Sequence, residues 1–240
     1  VKEGKLEGMK EQAAEWMERY PQLVGVGLNI NPNRSNAIFG KESYPIAGQH
    51  HIHEIFAGMT FQILPDTFFQ VNTENAEALM QEILTELNLQ GTEVVLDAYC
   101  GVGTLTLPLA KQAKQAIGLE VQPEAIEQAA MNAALNELHN VTFQLGTVEK
   151  LLPTLKVQPD VVILDPPRKG CDRSVIEALL QIQPDRIVYV SCNPATLARD
   201  LKLLCEAGAY TLTRVQPADF FPQTAHVECA AFVTKTELIG

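Results

Sequence analysis

Apolar positions along this chain follow two rhythms. From Gly91 onward, short apolar runs near 94–97, 116–120, 141–145, 161–164, 186–191, 210–216 and 227–234 predict strands, and the stretches between them place apolar residues three and four apart, as helices do. Helices separate the strands until the last pair, so the pattern predicts an α/β sheet of mostly parallel strands. Just ahead, Asn72 or Thr73 is suited to cap a helix whose apolar residues are Ala76, Leu79, Met80, Ile83, Leu84 and Leu87. The first part of the chain reads differently. Leu6, Met9, Ala13, Met17 and Tyr20 recur at helical spacing, Leu23 to Ile30 reads as a strand, and extended stretches run through Ile38–Phe39 and Met59–Leu64. These patterns predict a small α+β piece over residues 1–67 and a larger α/β domain over 68–240, with no internal repeat.

Composition narrows the class. With 240 residues, 46% of them hydrophobic, the chain can bury one sizeable core and part of another. It has no run of 18 apolar residues, which predicts no membrane span, and Val1-Lys2-Glu3-Gly4 does not open a signal peptide. Five cysteines without paired spacing argue against a disulfide framework or a zinc site and point to a reducing cytoplasm. His50, His51 and His53 lie close together, but no cysteine or carboxylate ligand pattern surrounds them, so no metal is expected. The formal charge of −11 leaves little long-range attraction for a nucleic acid, and both parts of the chain share the acidic excess. Arg168, Lys169 and Arg173, with Arg199 further on, form a local exception.

Three segments carry candidate chemistry. Cys192 lies in Ser191-Cys192-Asn193-Pro194, between the apolar run Ile187–Val190 and a helical pattern of Leu197, Leu201 and Leu204. Pro194 suits the first turn of that helix. The sulfur is then expected near unpaired N–H groups and the positive dipole end, which favour thiolate and make Cys192 a candidate nucleophile. The plain alternative is a small buried packing residue. In the second segment, Val94 to Thr104, a strand runs into a turn holding Gly101 and Gly103, followed by a helical stretch from Leu105 to Ala113. The glycines permit close approach of a ligand, but the third glycine of a dinucleotide site is missing. Glu120 ends the next strand, where a carboxylate can accept from both ribose hydroxyls. An adenosine without phosphates fits, and S-adenosylmethionine, whose sulfonium suits carboxylates, is such a ligand. In the third segment, Asp165-Pro166-Pro167-Arg168 follows an apolar strand, and its prolines force a rigid exit that holds Asp165 at the carboxyl edge of the sheet.

Together these residues resemble the RNA uracil-5-methyltransferase family, the enzymes that make 5-methyluridine in bacterial ribosomal and transfer RNA. The resemblance runs from about Phe68 to Thr234 through Phe69-Gln70-Val71-Asn72, the Asp97 to Thr104 turn, Asp165 to Arg168, Ser191-Cys192-Asn193-Pro194 and His226-Val227-Glu228. It implies a Rossmann-like class I S-adenosylmethionine-dependent methyltransferase sheet with an antiparallel final strand. It also implies Cys192 as nucleophile, Glu228 as base, and Gln70, Tyr99, Gly101, Gly103, Thr104, Glu120 and Asp165 at the cofactor or target base. Residues 1–67 would be the remainder of a central domain. Gly146-Thr147-Val148-Glu149 stands where relatives often carry an acidic residue near the adenine, so that contact is unassigned. The missing initiator methionine, and the absence of cysteine before Cys100, suggest a piece of a longer protein whose RNA-binding part lies elsewhere.

The chemistry explains the residue types. Carbon 5 of uracil is a poor nucleophile until a thiolate adds to carbon 6, and after methylation a base must remove the hydrogen left on carbon 5 so that the thiolate departs. Glu228 is the candidate base, since its apolar neighbours Val227 and Cys229 to Val233 make it a buried-strand carboxylate that needs a reason. Asp165 serves either the cofactor amine or the uracil edge. Arg168 binds substrate at a phosphate or the developing enolate, or is an exposed ion pair. The expected partner is RNA, 23S ribosomal RNA ahead of transfer RNA, acted on by a monomer. An amino-group methyltransferase is the first alternative, but it would carry an aromatic residue at Arg168. A cytosine-5 methyltransferase and a non-enzymatic adenosine-binding module are the others.

Overall fold

The computed structural model describes residues 6–32, 40, 42–206 and 208–236. It forms two units, Val1–Ile55 with Thr60–Phe68, and Phe56–Met59 with Phe69–Gly240. In the first, helix α1 (Met9–Arg19) turns Ala13 inward, and strand β1 (Gly25–Ile30) pairs antiparallel with β2 (Glu42–Gly48). Strands β3 (Ile52–Phe56) and β4 (Met59–Ile63) form a hairpin. Its two turn residues, Ala57 and Gly58, both have positive φ, the conformation that matches the twist of the flanking strands. The α1, β1 and β4 patterns are visible in the sequence, whereas β2 and β3 are not. Pro45 interrupts β2, and His53 and Glu54 leave β3 without a readable alternation. The expected extended stretch Ile38–Phe39 lies outside the described residues.

The second unit is built on a seven-stranded sheet. Its strands are β5 (Val94–Ala98), β6 (Gln115–Glu120), β7 (Val141–Leu145), β8 (Val161–Leu164), β9 (Arg186–Ser191), β10 (Tyr210–Ala218) and β11 (Glu228–Lys235). Their order is β10-β11-β9-β8-β5-β6-β7. Strands β5 to β9 pair in parallel, and β11 is inserted antiparallel to both β9 and β10. The central strands read as continuous apolar runs because both faces are covered, and Val95, Leu96, Val161, Val162, Ile163 and Leu164 are fully buried.

Helices α2 (Thr73–Leu87), α4 (Pro123–Leu135), α6 (Arg173–Ile182) and α7 (Pro194–Glu206) supply the long crossovers and flanking layers. Two short helices, α3 (Thr106–Ala110) and α5 (Val148–Leu151), complete the set. Helix α2 presents Ala76, Leu79, Met80, Ile83 and Leu87 inward, and Asn72 caps it by accepting from the Asn75 N–H. The helix after the glycine turn is shorter than its apolar run suggests. It stops at Ala110, and Gln112 N–H bonds three residues back, to Leu109 O, so the last turn tightens and ends. Among the described residues no helix is long and apolar enough to cross a membrane.

Candidate active site at the carboxyl edge of the sheet

The turn after β5 is shaped by its own backbone. Tyr99, Gly101 and Gly103 all have positive φ, and the N–H groups of Tyr99 and Cys100 both donate to Leu119 O on the neighbouring strand. Gly103, at φ +90°, sits where a side chain is strained, and a Cβ there would lie 3.1 Å from Leu107 Cγ, which would have to give by a few tenths of an ångström. Glu120, at the end of β6, closes the turn from the other side. Its Oε2 accepts from Gly101 N–H at 3.1 Å, while Oε1 accepts from Val121 and Gln122 N–H at 2.7 and 2.9 Å. A carboxylate has about four acceptor sites, so these three bonds hold Glu120 rigidly and leave about one site, fewer than the two that both ribose hydroxyls would use. Thr104 is half-buried in the same turn. Tyr99 packs against the core and directs its hydroxyl at the Cys171 sulfur, and burial pushes its phenol upward.

Four carboxylates follow one another along this edge. Glu120 ends β6, Asp97 lies in β5, Asp165 follows β8, and Glu228 opens β11. At a strand spacing of about 4.8 Å, β6 and β11 are roughly 19 Å apart across the sheet, enough for an extended adenosyl ligand beside a base. Asp97 is 1% exposed, and its Oδ2 accepts from the Thr106 hydroxyl at 2.5 Å. Its Oδ1 is buried with no hydrogen-bond partner among the described residues. Burial pushes the Asp97 carboxyl up to about 7, the Thr106 bond opposes this, and the Glu120 charge adds to it. Asp165 rises to about 8, first from burial and then from the charges of Asp97 and Glu228. Burial also raises Glu228, while the Arg168 guanidinium draws it back. Asp97 and Glu228 each add to the rise of Asp165, so these acids lie close enough at the sheet edge to act on one another.

Strand register brings the segments of Cys192 and Glu228 together. Cys229 pairs with Ser191 across the antiparallel strands β11 and β9, so Cys192, in the bend just past β9, and Glu228, the first residue of β11, are each next in sequence to a residue of that pair. Cys192 is half-buried in a tight turn. Ser191 Oγ accepts from Asn193 N–H, and Asn193 Oδ1 accepts from Ala195 N–H, each at 3.1 Å. The helix that starts at Pro194 is therefore capped by the residues flanking the cysteine. The Arg168 carbonyl accepts from Asn193 Nδ2 at 3.1 Å and Thr196 Oγ1 at 3.3 Å, which ties the Asp165–Arg168 loop to the cysteine turn. Arg168 Nη2 lies 2.7 Å from His226 Nδ1, so its side chain reaches the loop that leads into Glu228.

Gln70 precedes α2 and is half-buried. Two residues later Asn72 donates to Phe220 O at 3.1 Å, and Asn75 donates to Asp219 O at 2.7 Å, so this segment is fastened to the loop leading into Glu228. The sequence assigns Asn72 only a capping role. It also leaves Thr106 unmarked, and with it Asn132, fully buried on α4, whose Nδ2 donates to Val102 O at 3.2 Å within the glycine turn. Position within helical stretches conceals both. A polar residue at a core position is the signal that could have revealed them.

Residues 153–236 match the family model described as tRNA (Uracil-5-)-methyltransferase, and residues 95–181 match a methyltransferase domain. An uncharacterized RNA methyltransferase of Nostoc sp. is 65% identical over 237 residues, 99% of this chain and 52% of that protein. Another, from Synechocystis sp., is 53% identical over 228 residues, 95% of this chain and 49% of its own length. The chain spans about half the length of the curated relatives it matches. Among solved structures, the Pyrococcus abyssi tRNA (uracil-54, C5)-methyltransferase in complex with S-adenosyl-L-homocysteine superimposes with a TM-score of 0.77 at 32% identity. That match covers 91% of this chain and 53% of the other. The strand order with one inserted antiparallel strand is that of a Rossmann-like class I methyltransferase, and the part that carries Cys192 and Glu228 lies within the match to the tRNA (Uracil-5-)-methyltransferase family.

Proposed function

We propose that the protein methylates carbon 5 of a uridine in RNA through a covalent adduct between Cys192 and carbon 6. The observation that supports this reading is the pairing of Ser191 with Cys229, whose sequence neighbours are Cys192 and Glu228, the latter with a raised carboxyl. The residues at the edge suit S-adenosylmethionine. Asp97 offers a buried acceptor without a partner among the described residues, Glu120 offers an open acceptor site, and the raised acids favour a cation. When bound, that cofactor supplies the methyl group as an electrophile.

The chain's own residues do the rest. Cys192 adds its sulfur to carbon 6, and the electron pair this pushes to carbon 5 makes that carbon the nucleophile. Arg168 faces Glu228 and stands ready for the charge that develops on the uracil oxygen. Burial raises the Glu228 carboxyl, and the Arg168 guanidinium draws it back toward the ionised form a base needs. Glu228 then takes the carbon 5 proton, and the Cys192 sulfur is expelled as thiolate. Asp165 serves the cofactor amine or the uracil edge, and Gln70, Tyr99, Gly101, Gly103 and Thr104 complete the walls. This catalytic domain spans 68–240, with residues 1–67 belonging to a central domain. The setting is the cytoplasm, where Cys192 stays reduced, and the enzyme acts as a monomer.

The expected substrate is 23S ribosomal RNA ahead of transfer RNA, while the Pyrococcus abyssi neighbour is a tRNA (uracil-54, C5)-methyltransferase. Mass spectrometry of total RNA from cells with and without the gene decides between them. Loss of 5-methyluridine at one position supports the reading and names the substrate; unchanged 5-methyluridine in every RNA contradicts it.

A further inference from the structure

A cavity of about 400 Å³ opens one residue beyond Arg168, between the loop after β8, the start of α6 and the flank of α7. It contains neither Cys192 nor Glu228. Lys169, Arg173 and Arg199 line it, a concentration of cations in a chain whose formal charge is −11. Arg199 is fixed in place. Its Nε donates to Asp200 Oδ1 at 2.8 Å, and its Nη2 donates to Lys169 O at 3.0 Å and to Cys171 O at 3.3 Å. Among the described residues its Nη1 has no hydrogen-bond partner, and half of the side chain faces solvent. Asp200 is fully buried behind it, accepting also from Tyr189 OH and Cys171 N–H at 2.6 and 2.9 Å. Gly170 forms the wall between them, since a Cβ there would come within 2.6 Å of both Arg199 Nη2 and Asp200 Oδ2.

The other two cations are free to change partners. Lys169 pairs with Asp172 and Arg173 with Glu177 on side chains that are 68% and 83% exposed. Such surface pairs are weak and yield readily to a phosphate. We infer that this cavity holds a phosphate of the substrate RNA backbone, next to the nucleotide whose base enters the catalytic cleft. The inference rests on the proposed RNA reading. A base can reach a buried thiol only after leaving its stack, and the enzyme must then grip the backbone beside it. The overall negative charge makes the subsite ineffective for free anions, but a phosphate tethered to a bound base arrives at high effective concentration.

The test compares the complete protein with Lys169→Gln/Arg173→Gln and with Lys111→Gln/Lys114→Gln, which removes two exposed cations of the same unit away from the cavity. Fluorescein-labelled oligouridylate is titrated at several salt concentrations. For single strands the slope of log affinity against log salt flattens by about 0.7 for each phosphate that the protein no longer neutralises. The first variant's slope should therefore be shallower by about 0.7, for the one phosphate released, a gap from wild type that changes about 2.6-fold between 200 and 50 mM salt. The Lys111/Lys114 variant should keep the wild-type slope. Equal slopes in all three proteins, or equal flattening in both variants, overturns the assignment. A parallel arm adds inorganic phosphate. Protection of the protein by phosphate, with RNA binding indifferent to the Lys169/Arg173 change, assigns the cavity to a free anion and also overturns it. Wild-type protein that forms 5-methyluridine but matches the variant sinks only this inference, whereas absence of 5-methyluridine sinks the functional reading beneath it.

Discussion

Asp165→Asn should make the ligand-free protein more stable, by an amount that depends on pH. Burial, then the charges of Asp97 and Glu228, hold the Asp165 carboxyl at about 8 in the folded chain, against about 3.9 when unfolded. The folded state therefore keeps a proton that the unfolded state releases. The Asp165 contribution is most favourable below about pH 4, declines as pH rises through the window from about 4 to 8, and is constant above it. Each pH unit inside the window costs about 1.4 kcal/mol, so the full cost at pH 7 reaches about 4 kcal/mol. Sharing of charge with Asp97 and Glu228 lowers this to roughly 2–4 kcal/mol. Asparagine has the same shape and never ionises. Urea denaturation at pH 5, 6, 7 and 8, in the absence of cofactor, should show the variant's midpoint moving above wild type progressively with pH, at unchanged m-value. A variant no more stable than wild type at pH 7–8, or one offset equally at all four pH values, refutes the argument that this carboxyl is held protonated.

Three further outcomes follow from the same geometry. Binding of S-adenosylmethionine should release protons near pH 7–8, because a cation lowers the raised Asp97 and Asp165 carboxyls; calorimetry in buffers of different ionisation enthalpy checks this, and identical heats in all buffers would count against it. Glu120→Ala should weaken the cofactor by roughly 1.5–3 kcal/mol for each charge-assisted hydrogen bond removed, with unchanged affinity in a folded variant removing Glu120 from the site. The side chain of Gln128 is buried on α4 with neither amide atom hydrogen-bonded among the described residues. Gln128→Met should therefore stabilise by about 1 kcal/mol, and a lower urea midpoint would show that the amide has a partner.

The parallel strands are legible in the sequence because burial on both faces writes them as unbroken apolar runs, and Asn72 and Pro194 mark their helices through capping chemistry. Strands β2 and β3 are not, since their edges are exposed and their alternation is broken. In the site, Cys192, Asp165 and Glu120 can be placed because each stands where an apolar run ends. The Ser191–Cys229 pairing depends on a strand inserted against the direction of its neighbours, and no local pattern encodes that register. The tie of Arg168 to His226 and the hold of Thr106 on Asp97 depend on side-chain positions set by the packed fold.

The central claim is that Cys192 adds to the base and Glu228 releases it. Incubating the Glu228→Gln protein with substrate RNA and S-adenosylmethionine, then running denaturing electrophoresis, tests it directly. Loss of a general base slows a step by about 10²–10⁴-fold, so a methylated RNA joined to Cys192 should persist as a slower band. The band should require added S-adenosylmethionine and vanish when Cys192→Ala is introduced as well. Normal turnover by Glu228→Gln without any such band, or 5-methyluridine formed by Cys192→Ala alone, would contradict the mechanism.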